Sequence, residues 1–128
     1  TQEFAFTDSN DVASVTQSAA DYADVVYIPT DNTAASNTEA IANILVPAGV
    51  PAIAGEEGIC SGCGVATLSI SYYDLGVTTG KMAAKILTGE ADISTMPIEY
   101  TDATPKYNPT ICETLNITPL DGYTAIEG

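Results

Sequence analysis

The sequence predicts an α/β fold: an open, mainly parallel sheet of about four or five strands with helices on both faces. Three observations carry that prediction. Short apolar runs alternate with segments of helical periodicity. The run "DVVYI" (residues 24–28) is continuously apolar after its first residue, as in a strand buried on both faces. Each apolar run then gives way to a loop marked by glycine, proline or polar side chains before the next helix. Strands separated by helices pair in parallel through right-handed crossovers.

The elements follow in order. "EFAF" (residues 3–6) reads as a short strand. "SNDVASVTQSAADY" (9–22) reads as a helix, with Ser9 or Asn10 as N-cap and Val12, Val15 and Ala19 on one face. Residues 24–28 form the next strand, expected at the centre of the sheet. A second helix runs from Asn32 to about Val46, with Ile41, Ile44 and Leu45 inward and Pro47 and Gly49 ending it. "PAIA" (51–54) is a third strand. A glycine-rich turn, with no helix starting in it, leads to "ATLSIS" (66–71), a fourth. "YYDLGVTTGKMAAKILTG" (72–89) is a helix whose Leu75, Thr79, Met82, Ala83 and Ile86 share a face. Ser71 and Asp74 form its capping box and Gly89 its stop. Farther on, "MPIEY" (96–100) reads as a strand and "NPTICETLNI" (108–117) as a short helix, punctuated by Pro97, Pro105, Pro109 and Pro119.

A chain of 128 residues with 45% apolar content has the composition of one globular domain with one core. "IANILVPAGVPAIAG" (41–55), the most apolar stretch, is too short to span a bilayer and is broken by Pro47 and Pro51. No signal-peptide pattern precedes the first strand, and a chain that opens on Thr1 is expected to have had an upstream segment. There are 17 acidic residues against three lysines, with no arginine and no histidine, for a net charge of −14. That balance disfavours nucleic acid and anionic membrane surfaces as partners. It also removes imidazole chemistry, both the Ser-His-Asp or Cys-His kind and histidine metal sites.

Three cysteines remain. Cys60 and Cys63 make a C-x-x-C beside two glutamates, which would raise rather than lower a thiol pKa. Three thiols are one ligand short of a tetrahedral zinc site. An inert pair of turn cysteines, open to a local disulfide, is the expectation, and neither a metal nor a cofactor is implied.

The candidate site follows from topology. In open α/β sheets ligands bind at the carboxyl ends of the strands. Three loops reach that edge: residues 29–33, 55–58 and 71–74. They carry Thr30, Asp31, Asn32, Thr33, Glu56, Glu57, Ser71, Tyr72 and Tyr73. Helix capping would use one side chain of the Thr30–Thr33 cluster, at about 1 kcal/mol, and leave the others for a ligand. Glu56 and Glu57 are adjacent and point apart, so they make a poor acid/base dyad. A phosphate cradle is excluded by the two carboxylates and by the lack of a lysine near these loops. Carboxylates and hydroxyls suit a ligand bearing an ammonium group or several hydroxyls. Tyr72 and Tyr73 either stack on its apolar part or pack in the core.

"ADVVYIPTDNTAAS", "GVPAIAGEEG" and "ATLSISYYDLGVTTGKMAAKILTGEADISTMPIE" resemble the substrate-binding proteins of ABC importers, in particular the branch linked to tryptophan and tyrosine. The resemblance runs from about Phe4 to Leu120. It implies a Rossmann-like lobe of the type 1 periplasmic-binding-protein fold, of which residues 1–128 are part of the C-terminal lobe. Residues from about 72 to 96 would pack on an N-terminal lobe. It further implies a non-enzymatic, extracytoplasmic and often lipid-anchored receptor, which captures a small polar molecule such as an amino acid and hands it to permease subunits. Thr30, Asp31 and Asn32 match the family's first ligand loop, Glu57 its acidic strand-end position and Ser71 a third contact. Ser71 stands where the family usually has an acidic residue. Pro47 and the C-x-x-C also depart from its pattern. A fragment of this kind would self-associate or leave the residue 73–87 helix exposed. Two other readings use the same residues: a flavodoxin-like or receiver-like single domain, and a cell-surface interaction module without a small ligand.

Overall fold

The computed structural model describes residues 1–127. The chain divides into two compact units rather than one: Thr1–Ser69 together with the chain from Thr104 onward, and Ile70–Ala103. Its elements are α1 (Val12–Ala20), β1 (Val26–Ile28), α2 (Asn32–Ala35), α3 (Thr38–Ala48), β2 (Ala52–Ala54), α4 (Glu57–Cys63), β3 (Ala66–Ile70), α5 (Tyr72–Leu87), β4 (Ala103–Tyr107), α6 (Pro109–Thr114) and β5 (Thr124–Ala125).

The sheet is five-stranded, in the order β1-β2-β3-β4-β5. β1 pairs in parallel with β2 (Val26 opposite Ala52, Ile28 opposite Ala54), β2 with β3 (Ala54 opposite Thr67), and β4 with β5 (Lys106 opposite Thr124). The Asn108 amide donates to the Val65 carbonyl at 3.0 Å, which sets the end of β4 beside the start of β3, as in an antiparallel pair. The α/β class and the mostly parallel sheet are therefore as expected.

The position of β1 is not as expected. It lies at the edge of the sheet, and only Ile28 of its residues is buried. The physical reason is that residues 3–6 form no strand to flank it. Instead the Phe4 ring meets Tyr22 at 5.8 Å and Phe6 packs on the core. Residues 96–100 also form no strand. Pro97 has no N–H to give a ladder, and β4 begins only at Ala103.

The core is built on one face of the sheet. Ile28, Ala52 and Ala54 point into it and meet Val12 of α1, Ile41 and Leu45 of α3, and Ile59, Cys60 and Cys63 of α4. Leu45 and Ile59 are among the largest fully buried side chains, each worth about 1.5–3 kcal/mol of transfer free energy. The alternate residues point the other way and are exposed, Tyr27 at 66% and Leu68 at 61%.

Local chemistry explains the boundaries. In α1 the buried set is Val12, Thr16 and Ala19, at helical spacing. Its N-cap is Asp11, not Ser9 or Asn10. The Asp11 carboxylate accepts from the Thr7 and Asp8 amides and so fixes the preceding turn rather than the helix. The single helix expected from Asn32 is two, α2 and α3. Ser36 and Asn37 interrupt it, with the Asn37 amide group donating to the Thr33 carbonyl at 2.7 Å and to Ser9 Oγ at 3.0 Å. Pro47 sits inside the last turn of α3. The helix stops at Gly49, where φ is 72° and the Val50 and Gly49 amides return to the Leu45 and Val46 carbonyls.

The largest departure is α4, where the sequence reads as a glycine-rich turn. Glu56 caps it by accepting from the Gly58 amide at 2.9 Å and from the Ile59 amide, and Ile59, Cys60 and Cys63 form its buried stripe. Gly62 permits the close approach: a Cβ there would lie 2.2 Å from Thr38 Oγ1 of α3. The two cysteines are thus helical core residues, not turn residues, and both are free thiols.

Candidate functional site

The first unit presents its functional side chains where β1 and β2 end. After Ile28 come Pro29 and Thr30, then Asp31 as the N-cap of α2. After Ala54 come Gly55 and then Glu56 as the N-cap of α4. The Gly55 amide donates to the Ile28 carbonyl at 2.8 Å, and a Cβ on Gly55 would lie 2.7 Å from the Thr30 nitrogen. Only glycine lets the two strand-end loops close on each other here. Thr30, Asp31 and Asn32 are exposed at this edge, while Thr33, Glu56 and Glu57 are half-buried.

The carboxylates are already engaged. Asp31 Oδ1 accepts from the Ala34 amide at 2.8 Å. Both Glu56 oxygens serve the start of α4. Glu57 receives Lys106 Nζ on both oxygens, at 2.8 and 2.7 Å, and Ser69 Oγ donates to it at 3.3 Å. The expectation that no lysine lies near these loops is therefore wrong. Lys106 arrives from β4, 49 residues downstream, where sequence neighbourhood gives no hint of it. Capping also absorbs more of the edge than expected, since Asp31 and Glu56 each hold a helix start.

Ser71 and Tyr72 open α5 in the second unit. Ser71 Oγ accepts from the Asp74 amide at 3.1 Å, as the capping box predicts, and Tyr72 is exposed. No residue of α5 is buried.

Asn108 escaped the sequence reading as a hub. Almost fully buried, it accepts from the Thr110 and Ile111 amides to cap α6, and its amide group donates to the Cys60 and Ser61 carbonyls at 3.1 and 2.9 Å. It ties the far end of α4 to α6. A groove lined by Val46, Pro47, Gly62, Asn108, Ile111 and Ile126 lies at that far end of α4, away from the strand-end edge. Cys60, Cys63 and Cys112 are buried, and each thiol is held in its protonated form. Burial, reinforced by neighbouring thiols and glutamates, pushes Cys60 up to about 12. Burial and Glu56 do the same for Cys63. Burial also raises Cys112.

An α/β unit whose strand ends gather hydroxyl, amide and carboxylate groups at helix starts is the architecture of a small-molecule binding lobe. The chain belongs to the ABC transporter substrate binding protein family, whose model matches residues 1–122. Members of this family normally act outside the cytoplasmic membrane as binding proteins rather than enzymes. The chain is 33% identical over 81 residues to a tyrosine-binding protein of Clostridioides difficile, covering 63% of this chain and 23% of that one. Among solved structures it is similar to a ligand-free, open substrate-binding protein with adhesive properties from Clostridium difficile (32% identity, TM-score 0.75, 95% of this chain and 42% of that one). It is also similar to an ABC domain in complex with L-Trp from Streptococcus pneumonia (26% identity, TM-score 0.84, 98% of this chain and 44% of that one). The chain thus spans less than half the length of these relatives. Among the described residues no helix is long and apolar enough to cross a membrane.

Proposed function

We propose that this chain is part of the C-terminal lobe of the solute-binding component of an ABC importer, and that the protein captures an amino acid, aromatic in class, outside the cytoplasmic membrane. The observation that carries the reading is the closed pair of strand-end loops. There Thr30, Asn32 and one Asp31 oxygen face outward at the start of α2. The similarity to a tyrosine-binding protein and to a structure in complex with L-Trp supports that ligand class. Thr33, Glu56 and Glu57 complete the lining in the first unit, and Ser71 and Tyr72, at the start of α5 in the second unit, are proposed as ligand contacts of the whole protein. The ligand ammonium meets Asp31 through a charge-assisted hydrogen bond. No residue acts as a catalyst.

Residues from about 72 to 96 pack on an N-terminal lobe. The apolar side chains Tyr73, Val77 and Leu87 fall on one face of α5 and are exposed, Tyr73 at 80% and Leu87 at 87%, which supports a partner surface for that helix. The isolated fragment self-associates through it or leaves it bare. The complete receptor is lipid-anchored and delivers its ligand to permease subunits.

Calorimetry of the full-length protein against a panel of amino acids and sugars tests this. An aromatic amino acid binds best, and Asp31→Ala weakens it by about tenfold or more. Unchanged affinity in that variant would overturn the site, and a sugar as best ligand would overturn the class.

A further inference from the structure

The carboxylates at the strand-end edge have a simple inventory. Both Glu56 oxygens are taken by the amides of its own helix. Both Glu57 oxygens are taken by Lys106 Nζ, with Ser69 Oγ as a further donor. Asp31 commits Oδ1 to the Ala34 amide, while Oδ2 accepts no bond among the described residues. Of the three carboxylates the sequence places at this edge, only Asp31 thus keeps an oxygen with no hydrogen bond among the described residues.

We propose that Lys106 sets the charge selectivity of the site: it occupies Glu57 and so reserves the edge for ligands with a single ammonium group. This rests on the amino-acid-binding reading above and adds a residue to it. Lys106 and Glu57 keep 29% and 38% of their side-chain surface exposed, so the pair is shielded enough for its charges to matter and open enough for a ligand to compete. Lys81 and Lys85 belong to the second unit, so Lys106 is the sole lysine of the first. A ligand with a second cation, such as lysine, must displace Lys106 and leave its ammonium unpaired beside the site, which opposes binding. A ligand with an uncharged side chain has no such conflict. Lys106 is a specificity residue that acts through Glu57, on a strand far in sequence from every loop of the site.

Titrations of L-tryptophan and L-lysine into the full-length protein test the proposal. Lys106→Met uncovers Glu57 beside Glu56 and shifts the preference toward L-lysine by about tenfold or more. Lys106→Arg keeps the wild-type preference, because it keeps the pair. Glu57→Gln/Lys106→Met loses the gain. If Lys106→Met does not fold, Lys106→Gln shifts the preference in the same direction by a smaller factor. An unchanged preference in Lys106→Met, or a gain that survives in the double variant, overturns the proposal. If the wild type binds neither amino acid, the amino-acid reading itself fails. The pairing is then judged by thermal unfolding without ligand, where losses from Glu57→Gln and Lys106→Met that simply add overturn it and non-additive losses sustain it.

Discussion

Helices α4 and α5 differ both in how plainly their sequences announce them and in how much each buries. "EGICSGC" contains two glycines and two cysteines in seven residues, has poor helical propensity and is too short to persist alone. Yet its Ile59, Cys60 and Cys63 lie at the centre of the core. α5 is 16 residues long, ends on the good helix formers of "KMAAKIL", is capped by Ser71 and is followed by Gly89 with a φ of 77°. None of its residues is fully buried, and Leu75, Met82 and Ile86 are only half-buried. Propensity and capping decide whether a helix is easily recognised, whereas burial decides whether the fold depends on it. The glycines that hide α4 from a propensity reading are what let it approach α3 closely.

The largest test of this contrast is Ile59→Ala. Ile59 is fully buried among α3, α4 and β2 residues, so its truncation leaves a cavity and costs about 2–5 kcal/mol, read as a fall in denaturation midpoint. Such a change in a 128-residue chain removes a large part of the stability a small domain has. A loss no greater than for an exposed α5 residue would show that α4 is not a load-carrying part of the core.

The same contrast explains which parts of the molecule are legible in its sequence. Elements whose stability is local were readable: the Ser71 cap of α5, the Gly49 stop of α3, and α6 behind Asn108 and Pro109. The mostly parallel sheet was readable because alternation of apolar runs and helices is also a local pattern. Elements fixed by distant partners were not. α4 exists because Glu56 caps it and α3 receives it. β1 is an edge strand because residues 3–6 do not pair with it, and Lys106 reaches Glu57 from another strand. At the candidate site the residue types were visible in the loops. Their commitments to caps and to an ion pair were not, since those depend on which backbone amides and which lysine the fold brings within reach.

A second, smaller test uses the thiols of α4, which α5 lacks. Folding moves Cys60 and Cys63 from an ordinary 9.0 up to about 12, chiefly because burial disfavours the thiolate. The sign follows from proton linkage. Below about pH 9 both states keep their protons and the contribution is intact. Above it, the unfolded chain releases protons that the folded chain retains, so stability falls as pH rises toward about 12. The expected result is a melting temperature that declines with pH across that window, with a shallower decline in Cys60→Ala/Cys63→Ala. An identical slope in wild type and variant would mean the two thiols ionise in the folded state as readily as in the unfolded one. Alkylation by iodoacetamide at neutral pH should likewise spare both cysteines until the chain is unfolded.

The smallest effect belongs to α5, and it divides the fragment from the receptor. Val77 and Leu87 keep 39% and 87% of their surface exposed. Truncating them in this chain removes little buried area. Val77→Ala/Leu87→Ala should therefore leave the melting temperature of the 128-residue chain nearly unchanged, within about 0.5 kcal/mol per site. In the full-length protein the proposed packing of α5 on an N-terminal lobe removes that surface from water. The same double variant should then cost about 1.5–3 kcal/mol for each side chain that is covered. The comparison needs both proteins, because a loss in the fragment alone would mean that α5 already packs within it or within a self-associated form. Sedimentation at several concentrations separates those two cases, as only self-association makes the loss depend on protein concentration. No loss in either protein would show that α5 stays solvent-facing throughout, and the lobe assignment of residues from about 72 to 96 would have to be abandoned.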